Sequence, residues 1–332
     1  MNKTVLESSV PKKDPTERTN LFTRMVKQKE FSVLIALLLL CVILTILSPY
    51  FLGVENIFNV LRQVSVIGIL AVGEALIIIT AGIDLSVGSV LGFIGVLTAI
   101  FAQSGIPAIA ILFLSILCGC IVGAVNGLLV TKIRINPFIV TLGMMSIARG
   151  TSLLITGGMP ISIQNNITYL GGGYVGVVPV PVIIMFVVAI IGHIFATKTL
   201  PGRNVYAIGN NERAAKLSGI RVNRVKTMVY MIMGALCAIS GIILAGTLNS
   251  AEPAAGSGYE MDVIAAVVIG GASLAGGEGS IIGVILGAAI MGVVRNGFVL
   301  LGISAYWQVV TIGIVIIAAV ALDSLKSSKR DS

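Results

Sequence analysis

Residues Lys198–Lys226 read KTLPGRNVYAIGNNERAAKLSGIRVNRVK, a polar stretch between two long apolar runs that gathers seven of the chain's 22 Lys and Arg residues. Working outward from it, seven more lie in Met1–Glu30, two are Lys132 and Arg134, and three follow Asp323. Ten apolar stretches separate these segments: roughly 31–48, 60–80, 86–103, 107–131, 137–156, 177–197, 227–248, 261–275, 281–297 and 304–323. Counting crossings puts every basic segment on one side, and the connections on the other side carry none. Such an asymmetry is the positive-inside pattern of a polytopic membrane protein. The sequence therefore predicts an all-α integral membrane protein of about ten helices. It divides into a cytoplasmic tail over 1–30, a transmembrane domain over 31–323 containing the 198–226 loop, and a cytoplasmic tail over 324–332.

Composition leads to the same class by another route. With 56% apolar and 11% charged residues and a mean hydropathy of +1.04, the chain lacks the polar surface to wrap a water-soluble globule. The net charge of +8 sits mainly at the inner membrane surface, where anionic lipid headgroups account for it. No basic face with interleaved aromatics exists, so nucleic acid is not an expected partner. Cys41, Cys118, Cys120 and Cys237 all fall inside apolar runs, and neither a disulfide nor a metal site is expected.

The basic loop also carries a mechanical signature. Asn210 or Asn211 can cap a helix, Glu212 suits its first turn, and Gly219 stands where a left-handed C-terminal residue belongs. The expected element is a two-turn helix too short to stand alone in water, held by packing against a bundle or in a partner's cleft. Ala214 and Ala215 keep one side thin enough to enter a groove, while Arg203, Arg213 and Lys216 can grip acidic groups on its rim.

Ionisable groups inside spans are costly and mark either structure or pathway. Glu74 and Arg149 read as an interhelical hydrogen-bonding pair or as pathway lining. Asp84 and Ser86 stand at the start of a span on the cytoplasmic side, as helix caps or as a glycine-flanked hinge near an inner gate. Asn126, Trp307 and Gln308 complete the sparse polar inventory of the pathway, although Trp307 with Tyr306 equally reads as an aromatic anchor at the membrane interface. Arg62 and Arg295 are expected to snorkel toward headgroups. His193 reads as an ordinary helix residue. On the outer side, Glu55, Glu252 and Glu260 make an acidic rim able to receive a soluble partner, or merely reflect the exclusion of bases from translocated loops.

Glu212-x-Ala214-Ala215-x-x-x-Gly219 resembles the loop by which permease subunits of bacterial ABC importers dock on their ATPases, although no Leu-Pro follows it. Three further stretches lie in matching order: Ala81-Gly-Ile-Asp-Leu-Ser-Val-Gly-Ser89, Ala251-Glu-Pro-x-x-Gly256-x-Gly-Tyr-Glu260 and Ile269-Gly-Gly-Ala-Ser-Leu-Ala-Gly-Gly-Glu-Gly-Ser280. Together the four stretches resemble the ribose-type branch of carbohydrate ABC importer permeases over essentially all of 31–323. The resemblance implies a bacterial inner-membrane homodimer of permease subunits, two separate ATPase subunits that bind ATP and Mg²⁺, and a periplasmic or lipid-anchored binding protein that delivers a monosaccharide. It also implies that this chain itself holds no cofactor.

The residues also weigh against the rival classes, a secondary active transporter of a small polar solute being the alternative reading. A phosphate-binding P-loop needs Gly-Lys, and that dipeptide occurs nowhere, so the glycines of 270–280 do not cradle a nucleotide. One histidine and no His-Glu-x-x-His leave an intramembrane enzyme without a catalyst. A secondary transporter usually places several carboxylates or broken helices at the midplane, where only Glu74 stands out as a candidate.

Overall fold

The computed structural model describes residues 29–328, so nearly all of the N-terminal tail and the last four residues lie outside the described part. Twelve helices of more than one turn follow in order. They are α1 (Lys29–Leu47), α2 (Val54–Ile79), α3 (Val87–Gln103), α4 (Ala108–Leu128, continued by a π turn Leu129–Ile133), α5 (Pro137–Thr156) and α6 (Val180–Lys198). Then come α7 (Leu200–Asn210), α8 (Glu212–Leu217), α9 (Val222–Leu248), α10 (Tyr259–Ile269), α11 (Ile281–Leu300) and α12 (Ala305–Ser328). Short strands close the segments that the charge pattern places outside: β1 (Ile161–Ser162) pairs antiparallel with β4 (Ser250–Ala251), and β2 (Tyr174–Val175) with β3 (Val178–Pro179).

Among the described residues, seven helices are long and apolar enough to cross a membrane. Ten spans were expected; of the other three, α12 contributes the shorter apolar stretch Tyr306–Ala318, and the remaining two are short helices. α3 has 17 residues and α10 only 11, about 26 Å and 17 Å of helix against ~30 Å of hydrocarbon. The drawn span 261–275 ends as helix at Ile269 because Gly270 and Gly271 follow, and Gly271 takes φ of 91°. Both short helices begin inside the bundle, after chain that has turned back into it.

Two halves of the chain are built alike. α2 packs on α10 and α11, as α9 packs on α3 and α4; α3 packs on α5 as α10 packs on α12; and α2 and α9 pack on each other. Gly73 and Gly241, Asp84 and Glu252, Gly88 and Gly256, and Ser89 and Ser257 are each 168 positions apart. Counted with the short α3, four helices of the bundle lie between α2 and α9, so the second half runs in the opposite sense. This is an inverted-repeat plan with short, interrupted helices inside the bundle, of the kind that serves many membrane transporters. The core runs down its centre: Ile69, Leu70, Ile77, Ile78, Ile94, Val229, Tyr230 and Val263 are among its most buried side chains. α1, α4, α5, α6 and α12 turn large apolar residues outward, as lipid-facing helices do.

Close approach is achieved by glycine. Gly119 and Gly234 bring the backbones of α4 and α9 together, each standing where a Cβ would strike the other's carbonyl. Burying small residues at the seam lets dispersion and polar contacts hold helices together where lipid removes the hydrophobic drive between them.

Candidate functional site

The two re-entrant segments meet. Gly88, in the first turn of α3, lies against the carbonyl of Gly256, and Gly256 lies against the carbonyl of Gly88, so a side chain on either would enter the other's backbone. One turn along α3, a Cβ on Gly92 would stand 2.7 Å from the carbonyl oxygen of Ala255. Arg149 of α5 secures this crossing: its Nη1 donates to the carbonyls of Pro253 at 2.8 Å and Ala255 at 2.9 Å. Glu74 is not its partner. Glu74 Oε1 accepts from the backbone N–H of Asp84 at 3.1 Å, and its Oε2 is buried without a hydrogen bond.

That bond also corrects the depth of Asp84 and Ser86. Glu74 lies five residues before the end of α2, about 8 Å from that end, and residue 84 has returned to its level. Both residues are almost fully buried inside the bundle, not at its cytoplasmic surface. Nor does Ser86 cap α3 with its side chain. Its N–H and its hydroxyl both donate to Asp84 Oδ1, at 2.8 Å and 2.6 Å, tying the turn to itself. Asn126 of α4 donates to Ser86 Oγ at 3.2 Å, and Tyr230 of α9 donates to the carbonyl of Ile83 at 3.3 Å. Thus α2, α4, α9 and the Gly256 turn converge on residues 83–88, and Glu74, Asp84, Ser86 and Asn126 form one connected network.

The acidic rim is smaller than the sequence suggests. Glu55 is exposed in the first turn of α2, and Glu252 is half-buried beside β4. Glu260 is half-buried like Glu252, but its carboxylate is engaged: its Oε1 accepts from Gly258 N–H at 3.2 Å, and its Oε2 is buried beside Gly88. A loop between two apolar runs looks external, and hydropathy does not register that it dips inward. Arg295 does not snorkel. It pairs with Asp262, which is fully buried, and its guanidinium lies 4.9 Å over the ring of Tyr259. Arg62 is held by Asn59 and Tyr174. Trp307 is 63% exposed on the bundle surface and Gln308 half-buried, so the structure does not bring Trp307 to the Asp84 network.

The 198–226 loop folds into two helices rather than one. Thr199 Oγ1 accepts from Gly202 N–H, and Pro201 in the first turn starts α7, an element the sequence reading missed although a Thr cap followed by Pro was the signal for it. Asn211 then caps α8, accepting from Ala214 N–H at 2.9 Å, and Gly219 takes φ of 83° just after it. Ala215 is buried against the bundle, so α8 does not offer both alanines to a groove. What it offers is Leu217, 90% exposed, with Arg213, Ala214 and Lys216 also exposed and Arg203 exposed on α7. Glu212 is tied by Lys226 at 2.7 Å, which anchors the base of α8 to α9.

Behind α8, α7 meets the rest of the inner surface through backbone. Gly209 lies against the carbonyl of Ile79, the last residue of α2, and against the N–H of Gly277, which donates to that same carbonyl at 2.9 Å. Tyr206 donates to the carbonyl of Gly279 at 3.0 Å, and Asn210 packs on Gly277.

Comparison with known proteins bears on both regions. Residues 56–320 match the family described as "Branched-chain amino acid transport system / permease component". The "Ribose import permease protein RbsC" of Escherichia coli (strain K12) is 44% identical over 298 residues, covering 88% of this chain and 93% of the relative. Its namesake from Bacillus subtilis (strain 168) is also 44% identical, over 316 residues, covering 94% and 98%. The "D-allose transport system permease protein AlsC" of Escherichia coli (strain K12) is 40% identical over 285 residues, covering 85% and 87%. No solved structure matches the chain.

Proposed function

The chain belongs to the family described as branched-chain amino acid transport system / permease component, and from that premise we propose that it is the membrane subunit of an ATP-driven importer for a monosaccharide, ribose or a close relative. The observation that carries the reading is the near end-to-end likeness to permeases named for ribose and allose. The chain is not an enzyme; ATP hydrolysis belongs to a separate subunit. It resides in the bacterial inner membrane with both termini cytoplasmic, and works as a pair of copies, with one transmembrane body over 31–323.

In this reading α8 is the contact with the ATPase. Arg203, Asn210, Asn211, Glu212, Arg213, Ala214, Ala215, Lys216 and Gly219 build and present it, and the bare Leu217 enters the partner's groove. Glu74, Asp84, Ser86, Asn126 and Arg149 form or brace the gate where the re-entrant segments cross, and Trp307 and Gln308 face the passage between copies. Glu55 and Glu252 receive the sugar-binding protein; the half-buried Glu260 braces the crossing. Reconstitution of the chain with its ATPase and binding protein tests the whole: sugar-loaded binding protein should stimulate ATP hydrolysis, whereas ion-gradient-driven uptake by this chain alone would overturn the reading.

Two outcomes follow. Leu217→Asp should leave the fold intact, since the side chain is already in water, and lower ATPase retention on co-purification by about tenfold to a hundredfold. That range corresponds to losing the burial of one leucine. Undiminished retention would remove Leu217 from the contact. For orientation, a background with the four native cysteines replaced by alanine should carry Met159→Cys or Arg213→Cys. An impermeant maleimide should label the first on intact cells and the second only after the inner face is opened. The reverse pattern would invert the topology.

A further inference from the structure

A cleft of about 1040 Å³ opens between the α4–α5 connection and the junction of α8 with α9. Six of its lining side chains are cations, and its one acid, Glu212, is already tied to Lys226. That leaves Lys132, Arg134, Lys216, Arg221 and Arg224 with no acidic partner among the described residues. Five unpaired cations around one concavity repel one another unless an anion joins them. The wall that carries two of them is not ordinary helix. α4 ends in the π turn Leu129–Ile133, and Arg134 follows with φ of 64°, a conformation a non-glycine residue adopts at a cost. Strain of that kind persists where the surroundings fix a side chain for use.

The cleft is also amphipathic. Leu128, Val130, Met228 and Met231 line it together with the basic groups, and Leu128 remains 46% exposed and Met231 39% exposed. Basic mouth and apolar side together match an amphiphile bearing a phosphate. A free phosphate would satisfy the cations and leave the apolar side unused.

We propose that this cleft binds the phosphate headgroup of an anionic phospholipid from the inner leaflet, with an acyl chain lying along Leu128 and Met231. The inference rests on the cytoplasmic orientation of 198–226 proposed above, but on neither the sugar nor the ATPase. The headgroup bridges the α4–α5 connection to the base of α8, so lipid charge steadies the helix that meets the ATPase. The bidentate guanidinium of Arg134, Arg221 and Arg224 suits a phosphate, with Lys132 and Lys216 as added point charges.

The test uses the full-length chain without partners, in nanodiscs of phosphatidylcholine with or without phosphatidylglycerol, then released into detergent for native mass spectrometry. The wild type should retain phosphatidylglycerol and not phosphatidylcholine. The triple variant Arg134→Gln/Arg221→Gln/Arg224→Gln should lose about a hundredfold in retention, at roughly a fivefold loss per cation. Lys198→Gln/Arg203→Gln/Arg213→Gln, an equal charge loss outside the cleft, should retain it as wild type does. Leu128→Gln, at an exposed position, should weaken retention of the lipid and leave binding of glycerol phosphate unchanged. Equal retention by the two triple variants would overturn the proposal, as would displacement of the lipid by millimolar inorganic phosphate, which would assign the cleft to a soluble anion. In a separate preparation co-expressed with the ATPase, a cleft variant that keeps its lipid but loses the ATPase would make this a protein-docking surface and also overturn the proposal.

Discussion

Gly88→Val is expected to abolish transport and most of the folded protein. At Gly88 the obstacle is the carbonyl of Gly256 in a second re-entrant segment, and a few ångströms away lies the buried Oε2 of Glu260. A flexible side chain can rotate away from a new methyl group; a backbone carbonyl inside a tight turn cannot. Overpacking in a core costs about 1–3 kcal/mol even where neighbours adjust. Here adjustment would have to part the two halves of the molecule, so the cost should lie at the upper end of that range or above it. Gly143→Ala on α5, where nothing lies within 4 Å, is the matched control and should be neutral or slightly stabilising. Yield of monodisperse protein, thermal unfolding in detergent and sugar uptake report the difference. If Gly88→Val matches wild type in all three, the segments do not cross as described.

Arg295→Leu should be nearly as damaging, by a different route. The substitution preserves apolar bulk but leaves Asp262, fully buried on α10, without its cation. Breaking a buried ion pair from one side costs about 3–5 kcal/mol, because the remaining charge is stranded away from water. Removing both charges is far less harmful, so Asp262→Leu/Arg295→Leu should recover much of the lost stability. Thermal unfolding of the single and double variants forms the test. A double variant worse than Arg295→Leu alone would show that the pair is not the source of the effect.

The legible parts of this fold were those written in local pattern. The spans, the charge asymmetry, the cap at Asn211 and the terminator at Gly219 each depend on residues within a few positions of one another. What stayed hidden depends on residues far apart. That Gly88 meets Gly256 is a relation across 168 positions, and either glycine alone reads only as a loop. Glu260 looked external because hydropathy averages over a span's length and cannot register a segment that enters the bundle for a few residues and ends in an 11-residue helix. Arg295 looked like a snorkelling side chain because its partner, Asp262, sits inside a stretch counted as apolar. Leu217 was overlooked for the opposite reason: a lone leucine in a short helix reads as its inward face, and only the packing of Ala215 shows which side is inward. Residues that share a motif, such as Asp84 and Ser86, were therefore read together, while Arg149 was read without its hydrogen-bond partners, the carbonyls of Pro253 and Ala255.

The junction behind α8 bears on how a push from the cytoplasm would travel. Where Gly209, Gly277 and the end of α2 meet, main chain touches main chain, with no rotamer between them to take up a displacement. Machines with such joints have no backlash. A small shift of α7 must appear at once, undiminished, at the foot of α2 and in the 270–280 turn, which lead respectively to the Asp84 network and to α11. Bulk added at Gly209 would thus do more than crowd a contact; it would introduce play into the linkage through which, in the proposed function, ATP hydrolysis moves the gate.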